Sequence, residues 1–152
     1  MWRGSVESVH IASDARAPMR AVEHARAVPG VGLEGDRYAN KKGTFFKPEP
    51  DFELTLIESE AVEAFARDYG VSLDAGDVRR NIVTRGVPLN HLVAREFYIG
   101  EVKIRGIRLC EPCEHLQQLS GAAVIKGLRH RGGLRAQVLS PGTIRVGDVV
   151  RE

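Results

Sequence analysis

Residues Glu96–Leu109 read EFYIGEVKIRGIRL: two apolar-rich runs, Phe97–Ile99 and Val102–Leu109, separated by the turn signal Gly100-Glu101. The same pattern continues outward from this stretch. Leu134–Leu139 reads as a strand, Pro141-Gly142 turns it into Thr143–Val146, and Gly147-Asp148 leads into Val149-Val150. Upstream, Trp2–Ile11 is strand-like with Val6 and Val9 imperfectly alternating. Arg20–Val28 alternates strictly, with Val22, His24, Arg26 and Val28 on one face, and ends at the turn Pro29-Gly30-Val31-Gly32. Phe52–Ile57 puts Phe52, Leu54 and Leu56 on one face, and Asn81–Thr84 is a short strand. Only Glu58–Tyr69 has a strong helical period, with Ala61, Phe65 and Tyr69 at i, i+4 and i+8 and Gly70 as its stop. Many short strands with glycine turns and one clear helix predict a mainly β domain, an antiparallel barrel or sandwich. The lack of regular strand–helix alternation argues against a doubly wound sheet.

A chain of 152 residues is expected to form a single domain over residues 1–152, without linker, repeat or low-complexity tract. The apolar share of 43% and charged share of 28% are those of a soluble globular protein. No run approaches a membrane span, and Met1–Pro18 has no apolar core of a signal peptide. Two cysteines three positions apart do not form a secreted disulfide framework, so the cytoplasm is the expected compartment. The net charge is only +2, yet arginines cluster at Arg79, Arg80 and Arg85 and again at Arg129, Arg131 and Arg135. Local clusters on a near-neutral chain suit a small anionic ligand better than nucleic acid, which needs a broad basic surface.

The segment Gly106–Ala136 holds both cysteines, Cys110 and Cys113, together with His115, His130 and several basic residues around Gly132-Gly133. Cations near a thiol favour the thiolate, the form that attacks or accepts sulfur. Pro112 suits the first turn of a helix over Cys113–Leu119, which places Cys113 at the positive end of the helix dipole, opposed by Glu111 and Glu114. Cys110 closes an apolar strand and reads as a small buried hydrophobe. A zinc site from Cys110, Cys113, His115 and His130 competes with this reading, although no second ligand pair stands at a familiar zinc spacing. Elsewhere, Asp77–Arg85 (DVRRNIVTR) offers paired arginines and Asn81 for a phosphate or carboxylate. Asp36 and Arg37, after Gly35, either pair with each other or bind a ligand. Asn40–Asp51 reads as a surface loop whose Phe45-Phe46 pair covers a site mouth.

Five pieces in order carry a family resemblance. They are Gly35-Asp36-Arg37, Arg79-Arg80-Asn81-Ile82-Val83-Thr84, Leu109-Cys110-Glu111-Pro112-Cys113 with Leu116, His130-Arg131-Gly132-Gly133, and Gly142–Asp148. Together they resemble a stand-alone MOSC domain, the module at the C-terminus of molybdenum cofactor sulfurases, over about residues 4–150. The resemblance implies a closed or nearly closed β-barrel with a few peripheral helices, and sulfur or molybdenum-cofactor chemistry. It also implies that Cys113 carries sulfur as a persulfide, or ligates molybdenum where the cofactor is held. His130 and Arg131 join Cys113 as catalytic candidates. Arg37, Arg80, Asn81, Thr84, Arg131, Gly132 and Gly133 are the candidates for binding the anionic cofactor, molybdopterin. The chain has no room for the pyridoxal-phosphate desulfurase domain of fused sulfurases, and no Lys-based pyridoxal-phosphate motif. A cysteine desulfurase or other sulfur donor is therefore an expected partner, with a molybdenum-cofactor enzyme or the cofactor itself as acceptor.

Cys113, His130, Arg131, Arg37 and Arg80 are expected to converge on one pocket. The function expected is sulfur carriage or transfer. The alternatives are a non-catalytic module that binds the cofactor and a small molybdenum-dependent reductase of N-hydroxylated compounds.

Overall fold

Alternating apolar side chains fold this chain into short strands that close on one another. A computed structural model describes residues 1–41, 49–112, 117 and 124–152. Among these residues the strands are β1 (Arg3–Ile11), β2 (Arg20–Val22), β3 (His24–Val28), β4 (Gly32–Leu33), β5 (Leu54–Glu58), β6 (Ile82–Arg85), β7 (Glu96–Ile99), β8 (Val102–Leu109), β9 (Leu134–Val138), β10 (Gly142–Arg145) and β11 (Val149–Arg151). Two α-helices accompany them, α1 (Ser59–Tyr69) and the short α2 (Val124–Gly127). The expected helix over Cys113–Leu119, apart from Gln117, and the Phe45-Phe46 pair lie outside the described residues.

Seven strands run β11-β7-β8-β9-β5-β6-β1, and β1 pairs again with β11, which closes the barrel. Closure removes the sheet edges that would otherwise expose unpaired amides. β2 extends from β1 at one side, and β10-β3-β4 form a small second sheet. The fold is mainly β, as the sequence predicts. All ladders between the strands are antiparallel except β5–β6, where Leu56 faces Ile82. That pair is parallel because α1 carries the chain back across the barrel before β6 begins, the crossover that parallel neighbours require.

The barrel interior is filled by Val6, Val9, Leu54, Leu56, Ile82, Phe97, Ile99, Ile104, Leu134, Ala136 and their neighbours. Val6 and Val9 both point inward although three positions apart, because β1 bulges between Val6 and Ser8 against β6. The expected single strand Arg20–Val28 divides in two. β2 pairs with β1 and β3 with β10, and the carbonyl of Glu23 between them accepts the Val146 amide. α1 covers a second apolar cluster of Ile57, Ala61, Phe65, Val78, Val83 and Leu128. β5 is therefore buried on both faces, Leu54 and Leu56 inside the barrel and Ile57 beneath the helix. Gly70 ends α1 at φ +66°, its amide donating to Ala66, the left-handed stop read from the sequence. Among the described residues no helix is long and apolar enough to cross a membrane.

Candidate functional site

The Asp77–Thr84 segment is the pivot of the site. A 3-10 turn, Ala75–Val78, is locked by a reciprocal capping box between Asp74 and Asp77. Arg79 then adopts φ +58°, a left-handed conformation that non-glycine residues rarely take. From this point Arg79 and Arg80 reach different parts of the molecule, and Asn81 fastens the start of β6. Asn81 is fully buried. Its Oδ1 accepts both the amide and the hydroxyl of Thr55 at 3.1 Å, and its Nδ2 donates to the His10 carbonyl at 3.1 Å. It thereby joins β1, β5 and β6 where the regular ladder has not yet begun. Thr84, also fully buried, donates to the Ile57 carbonyl at 3.4 Å.

Arg80 is 7% exposed and spends its guanidinium on backbone carbonyls. Nε donates to Gly132 at 2.8 Å, Nη2 to Cys110 at 2.9 Å and to Glu111 at 3.5 Å, and Nη1 to Val78 at 3.3 Å. It does not pair with Asp77, whose carboxylate caps the amide of Asp74 instead. One buried cation thus ties the cysteine-bearing segment after β8 to the glycine pair before β9. The two segments also touch directly. A Cβ on Gly132 would stand 2.5 Å from the Cys110 carbonyl oxygen and 2.9 Å from Pro112 Cδ. A Cβ on Gly133, at φ +116°, would stand 2.0 Å from the Leu56 carbonyl oxygen. The Cys110 amide completes the junction by donating to the Gly133 carbonyl at 2.7 Å. Cys110 itself is 2% exposed, a free buried thiol, as its place at the end of an apolar strand predicts. Cys113 and His115 lie outside the described residues. Pro112, to which Cys113 is bonded, rests on Gly132.

His130 and Arg131 belong to the same junction, the His130 side chain exposed and that of Arg131 half-buried. His130, at φ +63°, is exposed and its Nδ1 lies 3.2 Å from Glu111 Oε2, while its own amide donates to Glu111 Oε1. Arg131 donates from Nε to the Gly127 carbonyl at 2.7 Å and from Nη2 to Asp68 of α1 at 3.2 Å. The two bonds from Arg67 and Arg131 hold the Asp68 carboxyl below the ordinary carboxylate range.

The Asp36–Arg37 pair forms on the other side of Arg79, with 3.1 Å between Nη1 and Oδ1. Asp36 is fully buried and also accepts the amides of Ala12 and Tyr38. Arg37 stacks over the Tyr38 ring at 4.6 Å and donates from Nη2 to the Arg79 carbonyl at 3.3 Å. Arg79 in turn donates to the carbonyls of Ala17 and Ala15, at 2.6 and 2.8 Å. Burial pulls the Arg79 pKa down, and the neighbouring Arg37 charge adds to this, with Tyr38 and Asp36 acting against it. Arg37 therefore bonds the Arg79 carbonyl, while the Arg80 guanidinium turns to Gly132 and Cys110. Arg37, Arg79 and Arg80 are each less than a tenth exposed, and among the described residues Asp36 is the one comparably buried carboxylate paired with any of them. Sequence reasoning saw the arginine pair but missed the structural weight of Arg79 and of His10, which lines the adjoining cleft. The left-handed turn at Arg79 has no marker in the sequence. Among the described residues no group of three or more His, Cys, Asp or Glu side chains is placed to hold a metal ion.

Comparison with known proteins adds to this geometry. The barrel superimposes on the YuaD protein from Bacillus subtilis with a TM-score of 0.79 at 18% identity, covering 99% of this chain and 97% of that one. It is similar to YiiM from Geobacillus stearothermophilus at a TM-score of 0.76 and 14% identity, covering 97% of this chain and 74% of that one. YiiM from Escherichia coli gives 0.72 and 19%, covering 98% of this chain and 68% of that one. These likenesses establish the fold. No curated protein sequence matches the chain. The model of the MOSC domain matches residues 42–151, well over half of the sequence, and with it every barrel strand except β1, the cysteine-bearing segment and the His130–Gly133 turn. The chain belongs to the MOSC domain family.

Proposed function

We propose that this MOSC protein is a sulfur carrier, with Cys113 as the thiol that accepts and passes on a sulfur atom within a basic site. The supporting observation is the position of Arg80. Its buried charge is spent on the carbonyls of Cys110, Glu111 and Gly132 rather than on a carboxylate, one residue away from the Pro112-Cys113 bond. Among the described residues no carboxylate pairs with it, and a cation so held favours an anion, thiolate or persulfide, on the neighbouring segment. In the step proposed, the Cys113 thiolate attacks the outer sulfur of a donor persulfide. The sulfur–sulfur bond of the donor breaks, its thiolate leaves, and Cys113 becomes the persulfide with no net oxidation or reduction. The donor is a cysteine desulfurase or another persulfide source, the compartment the reducing cytoplasm, and the acceptor the molybdenum cofactor or an enzyme that holds it.

The surplus of buried positive charge suits an anionic, phosphate-bearing ligand such as that cofactor. Arg80, Arg131 and the Gly132-Gly133 amides are the groups proposed to face it, while Arg37, held by Asp36 on the other side of Arg79, fits less well. Asn81 and Thr84 fit less well as direct donors, since their side chains are enclosed in the barrel wall. When bound, the cofactor would supply the molybdenum centre that a Cys113 thiolate ligates. This permanent binding is the alternative to sulfur carriage, and a non-catalytic binder or a reductase of N-hydroxylated compounds would both show it. Assaying the purified protein for molybdenum, pterin and sulfane sulfur separates them. Sulfane sulfur without pterin supports the carrier. Stoichiometric molybdenum and pterin, retained through purification, would replace it with the cofactor-holding reading.

A further inference from the structure

A second cleft opens beside Arg79, away from the cysteine-bearing segment. It measures about 460 Å³, and its lining includes His10, Arg16, Asp74, Gly76, Asp77 and Arg79. Arg79 is nine-tenths buried, yet among the described residues it uses only two N–H groups, both on backbone carbonyls. A guanidinium has five, so a buried, charged donor set faces the cleft with bonds to spare. His10 is 6% exposed, and its Nε2 lies 2.8 Å from Ser8 Oγ. With the Ser8 hydroxyl donating to Nε2, the ring carries its proton on Nδ1, and Nδ1 has no hydrogen-bond partner among the described residues. Arg16 stands exposed at the rim.

Gly76 keeps this space open. Its backbone is not in the left-handed region, so the turn does not require glycine. A Cβ there would stand 3.4 Å from His10 Nδ1 and 3.7 Å from Met19 Cβ, in ordinary contact with both, and would cover the imidazole nitrogen. The side chain is missing where it would fill the cleft, although nothing in the turn forbids it.

We propose that this cleft binds a small tetrahedral oxyanion, a sulfate or a phosphate monoester in class, through Arg79, Arg16 and the Nδ1–H of His10. The preference for a compact anion follows from the rim, where the carboxylates of Asp74 and Asp77 repel an extended polyanion. The same carboxylates suit a ligand whose far end carries hydroxyl or amino groups. Burial lowers the His10 pKa, so the ring is neutral and a single donor at neutral pH. The groups facing it are Arg79, Arg16, Asp74, Asp77 and Ser8. An anion beside it favours the protonated ring, so affinity rises as pH falls through the range of histidine titration. The site is independent of sulfur chemistry at Cys113, and Cys113→Ser leaves it intact.

Sulfate is the probe, because its own charge is constant from about pH 5.5 to 8 and any pH dependence belongs to the protein. Calorimetric titration of the whole chain should give saturable, one-site binding that tightens toward the acid end. Arg16→Gln, an exposed change that leaves the fold alone, should weaken it about fivefold, the effect of one partly screened charge. Gly76→Ala should weaken it similarly with an unchanged or slightly raised Tm, and His10→Gln should flatten the pH dependence. Absence of saturable binding overturns the proposal, as does wild-type affinity in Arg16→Gln or in Gly76→Ala. A pH profile unchanged in His10→Gln removes the three-donor site.

Discussion

Replacing Arg80 by methionine tests the junction that presents Cys113. Methionine keeps the unbranched stem and removes the charge and every donor. Four carbonyls lose a partner, and two of the bonds are short, 2.8 Å to Gly132 and 2.9 Å to Cys110. Leaving a buried carbonyl unsatisfied costs about 1–3 kcal/mol, which puts the two short bonds at about 2–6 kcal/mol. Relief of the cost of burying the guanidinium offsets part of this, leaving a net loss of about 3 kcal/mol. For a chain of this size that lowers Tm by roughly 6–12 °C. Arg80→Lys should fall between wild type and methionine, since an ammonium cannot span Gly132 and Cys110 as a planar fork does. Thermal unfolding followed by circular dichroism reads the stability, and iodoacetamide labelling of Cys113 at neutral pH reads the presentation of the thiol. Labelling should slow in Arg80→Met, measured below its melting range. A Tm within about 2 °C of wild type, with unchanged labelling, would refute the view that Arg80 organises this segment.

Gly133→Ala should prevent folding or cost more than about 4 kcal/mol, because its φ of +116° strains any other residue and the new methyl would overlap the Leu56 carbonyl; soluble yield and Tm report this. Glu53, 5% exposed, has its carboxyl pushed up by burial, with amide bonds from Val138 and Gly30 pulling the other way. The folded state therefore holds its proton more tightly than the unfolded state, and stability falls as pH rises through the carboxylate range. Glu53→Gln should remove that slope, at least matching wild type at pH 7 and losing any advantage at acid pH, as denaturant melts at the two ends would show. Cys110, 2% exposed, should stay unlabelled by iodoacetamide until the chain unfolds, while Cys113 labels in the native protein; mass spectrometry of the digested protein distinguishes the two.

The barrel was legible where side-chain period and turn chemistry agree. Glu96–Leu109 forms its hairpin, and Gly70 stops α1 where the helical pattern ends. What escaped depends on distant partners. Arg20–Val28 alternates without interruption, and only the position of β10 makes the chain change sheets at Glu23. Likewise, the parallel direction of β6 follows from the path of α1 over the barrel, which no residue in β6 encodes. At the site, residue types were legible and their aim was not. Asn81 has the chemistry of a ligand amide, yet its three hydrogen bonds fasten strands. Adjacent arginines read as one donor set diverge because Arg79 takes a left-handed turn that its identity does not announce. Gly132-Gly133 was visible as a flexible pair, while its reason, close approach to Cys110 and Leu56, requires the folded chain.

The central claim is that Cys113 carries sulfur. Incubating the protein with a cysteine desulfurase and cysteine, blocking free thiols and locating the added mass by peptide mass spectrometry tests it directly. One extra sulfur atom on the peptide containing Cys113, released by cyanide, retained in Cys110→Ser and absent from Cys113→Ser, is the predicted result. Sulfur found on Cys110 alone, or loading undiminished in Cys113→Ser, would contradict the account.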